Sequence, residues 1–363
     1  MNMFQLVRLL IKSYIICYLV ISIFILSGCV DKSTDKTINT TNKTNTTNKT
    51  KKSIKPTINK DPTSIPVKKE DVTFAFAGDI HGEGVASILE TEGLGSISKV
   101  LAKADLSMVN LETAIVTSDD AIPQPKKYLF KTKPSILKEL YEDGVDVVSL
   151  ANNHGFDYGI VGLKDTLKAS LLPSTPVMLG IGNDFEEAWK PYITKIKGWD
   201  IGIIAANDVH EEHLGEIWMA DEKRPGLAFA MGERTEDLIK NTSDLDKKVD
   251  ITIVFMHWGI QKESNPSQRQ KNLAKRLVEN GADIIVGSHA HLIQPLEKIE
   301  NTTVAYGLGN FAWYHSNYPS NETGVLTIKV DKDSKQSTKW QSARIISGRP
   351  IPYGEVSEIP IIK

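Results

Sequence analysis

Residues 71–81 read Asp-Val-Thr-Phe-Ala-Phe-Ala-Gly-Asp-Ile-His, a β-rich apolar run that stops on two side chains able to hold a metal. Four further runs end in the same way. ADLSMV leads to Asn110-Leu111-Glu112, VDVVSLA to Asn152-Asn153-His154, DITIVFM to His257-Trp258-Gly259, and ADIIV to Gly287-Ser288-His289-Ala290-His291. Open α/β sheets bind ligands at the carboxyl ends of their strands, so five such ends can meet in one place although the chain separates them widely.

The segments between these runs have helical character. Leu94 to Ala104 and Ser135 to Asp143 read as short helices. Pro266 to Asn280 is the clearest: Asn265 is placed to cap it, Pro266 suits the first helical position, Leu273, Leu277 and Val278 form an apolar stripe, and Gly281 stops it. A strand is expected over Thr303 to Tyr306 and a late one over Arg344 to Ile346, before a Pro-rich tail. Strands alternating with helices predict a layered α/β domain, and no internal repeat is visible.

Composition divides the chain. Residues 31–69 carry ten lysines and three aspartates, and Arg8 and Lys12 precede them, so of the formal net charge of −2 residues 70–363 hold −11. An acidic folded part argues against nucleic acid as a ligand. An anionic substrate would need a local positive centre, which bound cations supply. Both cysteines, Cys17 and Cys29, fall before residue 30, so a metal in the folded part must be held by nitrogen and oxygen.

The N-terminus has the layout of a secretory signal: Arg8 and Lys12 precede an apolar run from Ser13 to Leu26, short for a membrane-spanning helix. It ends Leu26-Ser27-Gly28-Cys29, which resembles a bacterial lipobox with Cys29 as the lipidated residue; an uncleaved membrane anchor is the other reading. Either places the remainder outside the cytoplasmic membrane, anchored to it. Asp31 to Lys69 is Thr, Asn, Lys and Pro with almost nothing to bury, and is expected to stay disordered as a linker. Asn39, Asn42, Asn45 and Asn48 each begin an Asn-x-Thr triplet, which suits a glycosylated spacer or an unmodified low-complexity tract equally. The expected division is therefore 1–29 signal segment, 30–70 linker, 71–335 folded domain, and 336–363 a last strand and tail of that domain.

Each strand-end group also has an ordinary structural explanation. Gly-Asp is a common turn, Asn152-Asn153-His154 suits the end of a strand, His257 fits a buried histidine, and Glu112 fits an exposed acid. Taken together at five strand ends, they point to one metal site. His289 and His291 leave a buried strand together and can serve two ions from one loop.

In order, GDIH, NLE, ANNHGFDYG, HWG, GSHAH and YGLGNF resemble the CapA-type poly-γ-glutamate capsule biosynthesis family, within the calcineurin-like metallophosphoesterases. The resemblance spans about residues 72–330 and includes Tyr128-Leu129-Phe130-Lys131 and Gly159-Ile160-Val161-Gly162-Leu163. It implies a β-sandwich flanked by helices (αββα). It also implies two divalent ions: Asp79, His81 and His291 on one, Asn153, His257 and His289 on the other, and Glu112 at the bridging position. His154 would be the general acid, oriented by Asp157. Glu112 is one methylene longer than the usual bridging aspartate, and His81 stands where CapA-type sequences often carry another residue.

Imidazole, carboxylate and amide ligands together suit Mn, Fe or Zn better than Ca or Mg. Two such ions about 3.5–4 Å apart generate a nucleophile from water, and a neighbouring imidazolium protonates the leaving group. Two functions follow: a metal-dependent hydrolase of a phosphoester or anionic polymer, or a non-catalytic component that binds or anchors the polymer. Either would work beside a capsule-synthesis membrane complex.

Outside the cluster, His210-Glu211-Glu212-His213 mimics the zinc-protease motif but is one residue short, and is expected to border the cleft within a 208–235 insertion. Asn310 and Lys131 are expected at the substrate, with Lys126 a further candidate. Trp313 and Tyr314 suit a substrate groove, Trp258 suits the core, and Gln294-Pro295 is placed to orient the His289–His291 loop.

Overall fold

Alternation along the first strand, Val72–His81, sends Phe74 and Phe76 to one face and Ala75 and Ala77 to the other. The strand Ile251–His257 divides in the same way: Ile253 and Phe255 face inward with Phe74 and Phe76, while Val254 and Met256 face outward. Since both faces of both strands are buried, each must lie between two layers. The computed structural model describes residues 68–211, 215–314 and 317–358. The signal-like segment, Cys29, the linker up to residue 67, and Glu212 and His213 lie outside those residues.

Two sheets pack face to face. The first runs Arg349–Pro352, Gln336–Ile346, Glu322–Val330, Val72–His81, Leu106–Glu112, Val147–Ser149, Val177–Leu179, with Asn310–Ala312 joining the end of Val72–His81. The second runs Leu296–Ile299, Thr302–Ala305, Ile284–Ser288, Ile251–His257, Trp199–Asn207, Tyr192–Ile196. Between them lies a core of Phe74, Phe76, Met108, Ile203, Phe255, Val286 and Ile328. Helices Gly82–Glu92, Ser135–Glu142 and Gly159–Ala169 cover the outside of the first sheet through Val85, Leu89, Leu137, Leu140 and Leu163. Helices Thr235–Asp246 and Gln268–Glu279 cover the second through Leu238, Leu245, Leu273 and Leu277. The result is the expected α/β sandwich, αββα.

Strand register brings the site together. The central strands of each sheet are parallel, so their carboxyl ends share one edge. Asp79 lies opposite Asn110 and Asn310, Asn110 opposite Ser149, and His81 opposite Glu112. In the other sheet His257 lies opposite Ser288 and Asn207. The first strand slips register between Phe76 and Asp79, where Gly78 passes under the Gly309 carbonyl. A Cβ at Gly78 would sit 1.8 Å from that oxygen, so only glycine admits the approach that lets Asp79 N–H donate to it.

Several boundaries differ from expectation. The Pro266–Asn280 helix begins instead at Gln268, capped by Ser267 rather than Asn265. The Ser267 hydroxyl accepts from Gln270 N–H while the Gln270 side chain returns to Ser267 N–H, a reciprocal box stronger than the single cap expected. Leu94–Ala104 is broken into a 3-10 turn, Gly95–Ile97, and a short helix, Ser98–Lys103, with Gly95 at a positive φ of 72°. The last strand extends over Gln336–Ile346 and turns at Ser347-Gly348, both at positive φ, into Arg349–Pro352.

Candidate metal centre

Glu112 ends the Leu106–Glu112 strand and is wholly buried. Neither carboxylate oxygen has a hydrogen-bond partner among the described residues. Three imidazoles nevertheless converge on it: Nε2 of His154, His257 and His291 each lie 3.8 Å from Oε1. That is too long for a hydrogen bond and close enough to share a ligand. Burial and then the Asp79 charge push the Glu112 carboxyl well above the carboxylate range. A buried carboxylate without a donor is costly, and a cation among these nitrogens removes the cost.

Beside it, Asn153, His257 and His289 present lone pairs to one another. Asn153 Nδ2 donates to Glu211 Oε1 at 2.9 Å, so its Oδ1 is the atom 2.8 Å from His257 Nε2. The Ser288 hydroxyl donates to Met256 O and accepts from His257 Nδ1 at 2.8 Å, which leaves His257 Nε2 bare. His289 Nδ1 lies 3.0 Å from the same nitrogen. Burial and neighbouring imidazoles hold His257 and His289 well below the ordinary histidine value, the neutral form that ligates. Donor atoms of Asp79, Glu112 and His257 fall within 4.8 Å of one another, as do those of Glu112, His289 and His291. This donor set fits a divalent cation.

Asp79 and His291 form the other side. Asp79 Oδ1 accepts from Asn110 Nδ2 at 2.8 Å, and Oδ2 accepts from His289 N–H at 3.2 Å and lies 3.2 Å from His291 Nδ1. Burial works against charge on His291, but Glu112 and Asp79 lift it to about 9. Both loop histidines adopt positive φ, 89° at His289 and 55° at His291, a strained backbone that aims two side chains from one short loop. Gln294 fixes that loop: its amide donates to Glu263 O and accepts from Gln270.

His154 approaches on a separate arm. Nδ1 lies 2.7 Å from Asp157 Oδ2, and the ring stacks on Phe130 at 3.7 Å. Phe130 N–H also donates to Asp157 Oδ2, at 2.6 Å. Burial, then the Lys126 charge, hold His154 well below its ordinary value; burial, partly offset by Lys126, raises Asp157 to about 7.

The structure places the remaining expected residues differently from one another. His81 stands outside both close groups of ligand atoms among the described residues. Its Nδ1 accepts from Gly84 N–H as the cap of the Gly82–Glu92 helix, and its ring packs on Phe130, Trp313 and Tyr314. Asn310, expected at the substrate, is buried; Oδ1 faces His291 Nδ1 at 2.9 Å and Nδ2 donates to Ser320 O, so it orients the histidine instead. Lys131 is exposed, with its ammonium over the Tyr158 ring. Lys126, its side chain 4% exposed, lines the cleft with its ammonium paired to Asp157 and Glu211. Trp258 packs in the core on Tyr306. His210 and Glu211 do border the cleft: with Tyr128, Asn153, His154 and His289 they line a cavity of about 280 Å³.

Sequence reasoning gave no role to Asn110, Asn152, Ser288 or Phe130. Asn152 ties two strand ends, donating to Asn110 Oδ1 and Leu111 O while accepting from His154 N–H. The signal for these was their adjacency to ligand positions, since a ligand's second nitrogen or oxygen needs a partner.

A family profile described as bacterial capsule synthesis protein PGA_cap matches residues 73–314. The PGA biosynthesis protein CapA of Bacillus subtilis (strain 168) is 32% identical over 290 residues, covering 78% of this chain and 74% of its own. The capsule biosynthesis protein CapA of Bacillus anthracis is 31% identical over 259 residues, 68% of this chain and 62% of its own. Among solved structures, a novel phosphatase of Mycoplasma pneumoniae aligns over 78% of this chain and 96% of its own, with 14% identity and a TM-score of 0.49.

Proposed function

The chain belongs to the PGA_cap family of bacterial capsule synthesis proteins, and on that footing we propose that it serves poly-γ-glutamate capsule synthesis or export through a metal-dependent hydrolase site. One observation carries the proposal: the buried, unpartnered Glu112 carboxylate faced by three imidazole Nε2 atoms at 3.8 Å. Asn153, His257 and His289 would hold one ion, and Asp79 and His291 a second, with Glu112 between them. His81, whose Nδ1 caps the Gly82–Glu92 helix, has Nε2 as its remaining donor to the second ion. Bound ions of this kind supply a nucleophile drawn from water and positive charge for an anionic substrate.

The chain's own residues supply the proton. Asp157 fixes His154 through Nδ1, leaving Nε2 toward the cluster, and Phe130 covers the ring against water. Burial and the Lys126 charge favour the neutral form of His154 at rest. A phosphate or carboxylate entering the cavity adds the negative charge that favours its protonated form, ready to protonate a leaving group. Phe130, Trp313 and Tyr314 form an aromatic wall beside His81 and His154.

Purified full-length protein, analysed for metal and assayed on phosphomonoesters, phosphodiesters and γ-linked glutamate chains, tests the proposal. His154→Ala should keep its metal and lose roughly 10²–10⁴-fold in turnover. Bound metal with no turnover on any of these would favour the polymer-binding or anchoring role. The Leu26-Ser27-Gly28-Cys29 sequence supports an extracytoplasmic lipid anchor on Cys29. Cys29→Ala should then release the protein from the membrane fraction, and retention there would favour an uncleaved apolar anchor.

A further inference from the structure

Lys126 lies in the loop between the short strands Ala114–Ile115 and Lys131–Thr132 and was a natural candidate for greeting an anion at the surface. Its side chain is only 4% exposed. The ammonium donates to Asn153 O at 2.6 Å, pairs with Asp157 Oδ1 at 2.8 Å and Glu211 Oε1 at 2.9 Å, and lies 3.5 Å from His154 Nδ1. The Trp218 ring covers it at 4.9 Å from the centroid. Glu211 Oε1 is shared, since it also accepts from Asn153 Nδ2. One buried cation thus grips the backbone of a proposed ligand and the carboxylate that orients His154. Glu211, one of its partners, comes from an insertion whose His-Glu-Glu-His sequence only imitates a metal motif.

We infer that Lys126, anchored by Glu211, is the positioning residue of the acid arm, holding Asp157 and therefore His154 in the geometry needed to protonate a leaving group. The inference rests on the hydrolase reading above and deepens it. Lys126 lies on the cavity wall with its ammonium turned to Asn153 O, Asp157 and Glu211 and 3.5 Å from His154 Nδ1, so it positions the acid mainly through Asp157. It also makes Glu211 and Trp218 part of the acid machinery, since both close on the same ammonium. A buried salt link such as Lys126–Asp157 is costly to break on one side only.

Leaving-group dependence separates positioning of an acid from general damage. Lys126→Met should retain wild-type metal content. It should lose roughly 10²-fold in kcat on a substrate with an alkyl leaving group, which needs a proton. With a 4-nitrophenyl leaving group of the same class, which departs without one, the loss should stay within about threefold, as should the change in KM. Equal losses on both leaving groups, or none on either, would overturn the inference while leaving the hydrolase reading intact. If Lys126→Met does not fold, Glu211→Gln at the partly exposed end of the clamp carries the same test, with a loss of about tenfold confined to the alkyl substrate. Should the wild type turn over nothing, the hydrolase reading fails, and side-chain ¹⁵N NMR of histidine still decides the contact. A His154 Nδ1–H resonance bonded to Asp157 should be present in wild type and displaced in Lys126→Met; an unchanged resonance would refute the role.

Discussion

His291 shows how a single imidazole reports on the whole cluster. Burial alone would lower it, yet Glu112 and Asp79 raise it to about 9 from an ordinary 6.5. In metal-free protein the sign follows directly. A folded-state value above the unfolded one contributes stability that is complete below pH 6.5 and disappears as pH rises through about 9. Chelated protein should therefore lose melting temperature between pH 7 and 9 by an amount that His291→Gln abolishes. The same proton must leave when a cation arrives, so calorimetry at pH 7 in buffers of different ionisation heat should detect proton release on binding. A binding heat independent of buffer would contradict the assignment. At this scale the ligand positions were legible because each ends an apolar run. Lys126, Glu211 and Phe130 were not, because their roles depend on which loop lies over His154, a long-range fact with no local pattern. The contact of Asn310 was hidden for the same reason: its motif placed it near the site, but only the folded chain brings its Oδ1 to 2.9 Å from His291 Nδ1.

Among the elements, the Gln268–Glu279 helix supports the site from behind. Gln270, in its first turn, donates to Gln294, which braces the strained His289–His291 loop. Ser267 therefore serves helix and loop together. Ser267→Ala should cost about 1 kcal/mol through the lost cap, or roughly 2–4 °C in Tm for a domain this size, with metal content retained. A drop within error would mean that Asn265 or water replaces the cap. The helix itself was legible from Leu273 and Leu277 spaced to one face and from Gly281, at φ 96°, stopping it. Its start was not, because Pro266 fits a first helical position as well as the residue just before a cap. The broken 94–104 segment was hidden for a related reason: apolar spacing fits one helix, but Gly95 at positive φ interrupts it.

Across the whole molecule, the sandwich accounts for why five distant segments meet. Phe74, Phe76 and Phe255 lock the sheets face to face, and the parallel central strands put their carboxyl ends at one edge. Asp79, Glu112 and Asn153 come from the first sheet's strands and following loop; His257, His289 and His291 come from the second. Metal bound there would join the sheets at their open end, so removing it should lower the melting temperature of the entire domain. Layering was legible in the alternating pattern, and strand order was not, since register is set by pairing rather than by any one segment. The most direct measurement is metal content and melting temperature of wild type against Glu112→Gln, loaded with Mn, Fe or Zn and then desalted. Wild type should retain two ions per chain and melt higher when loaded, while Glu112→Gln should lose at least one ion and most of that gain, melting at or above wild type when both are metal-free. Equal metal content and equal gain in the two proteins would contradict a site centred on Glu112.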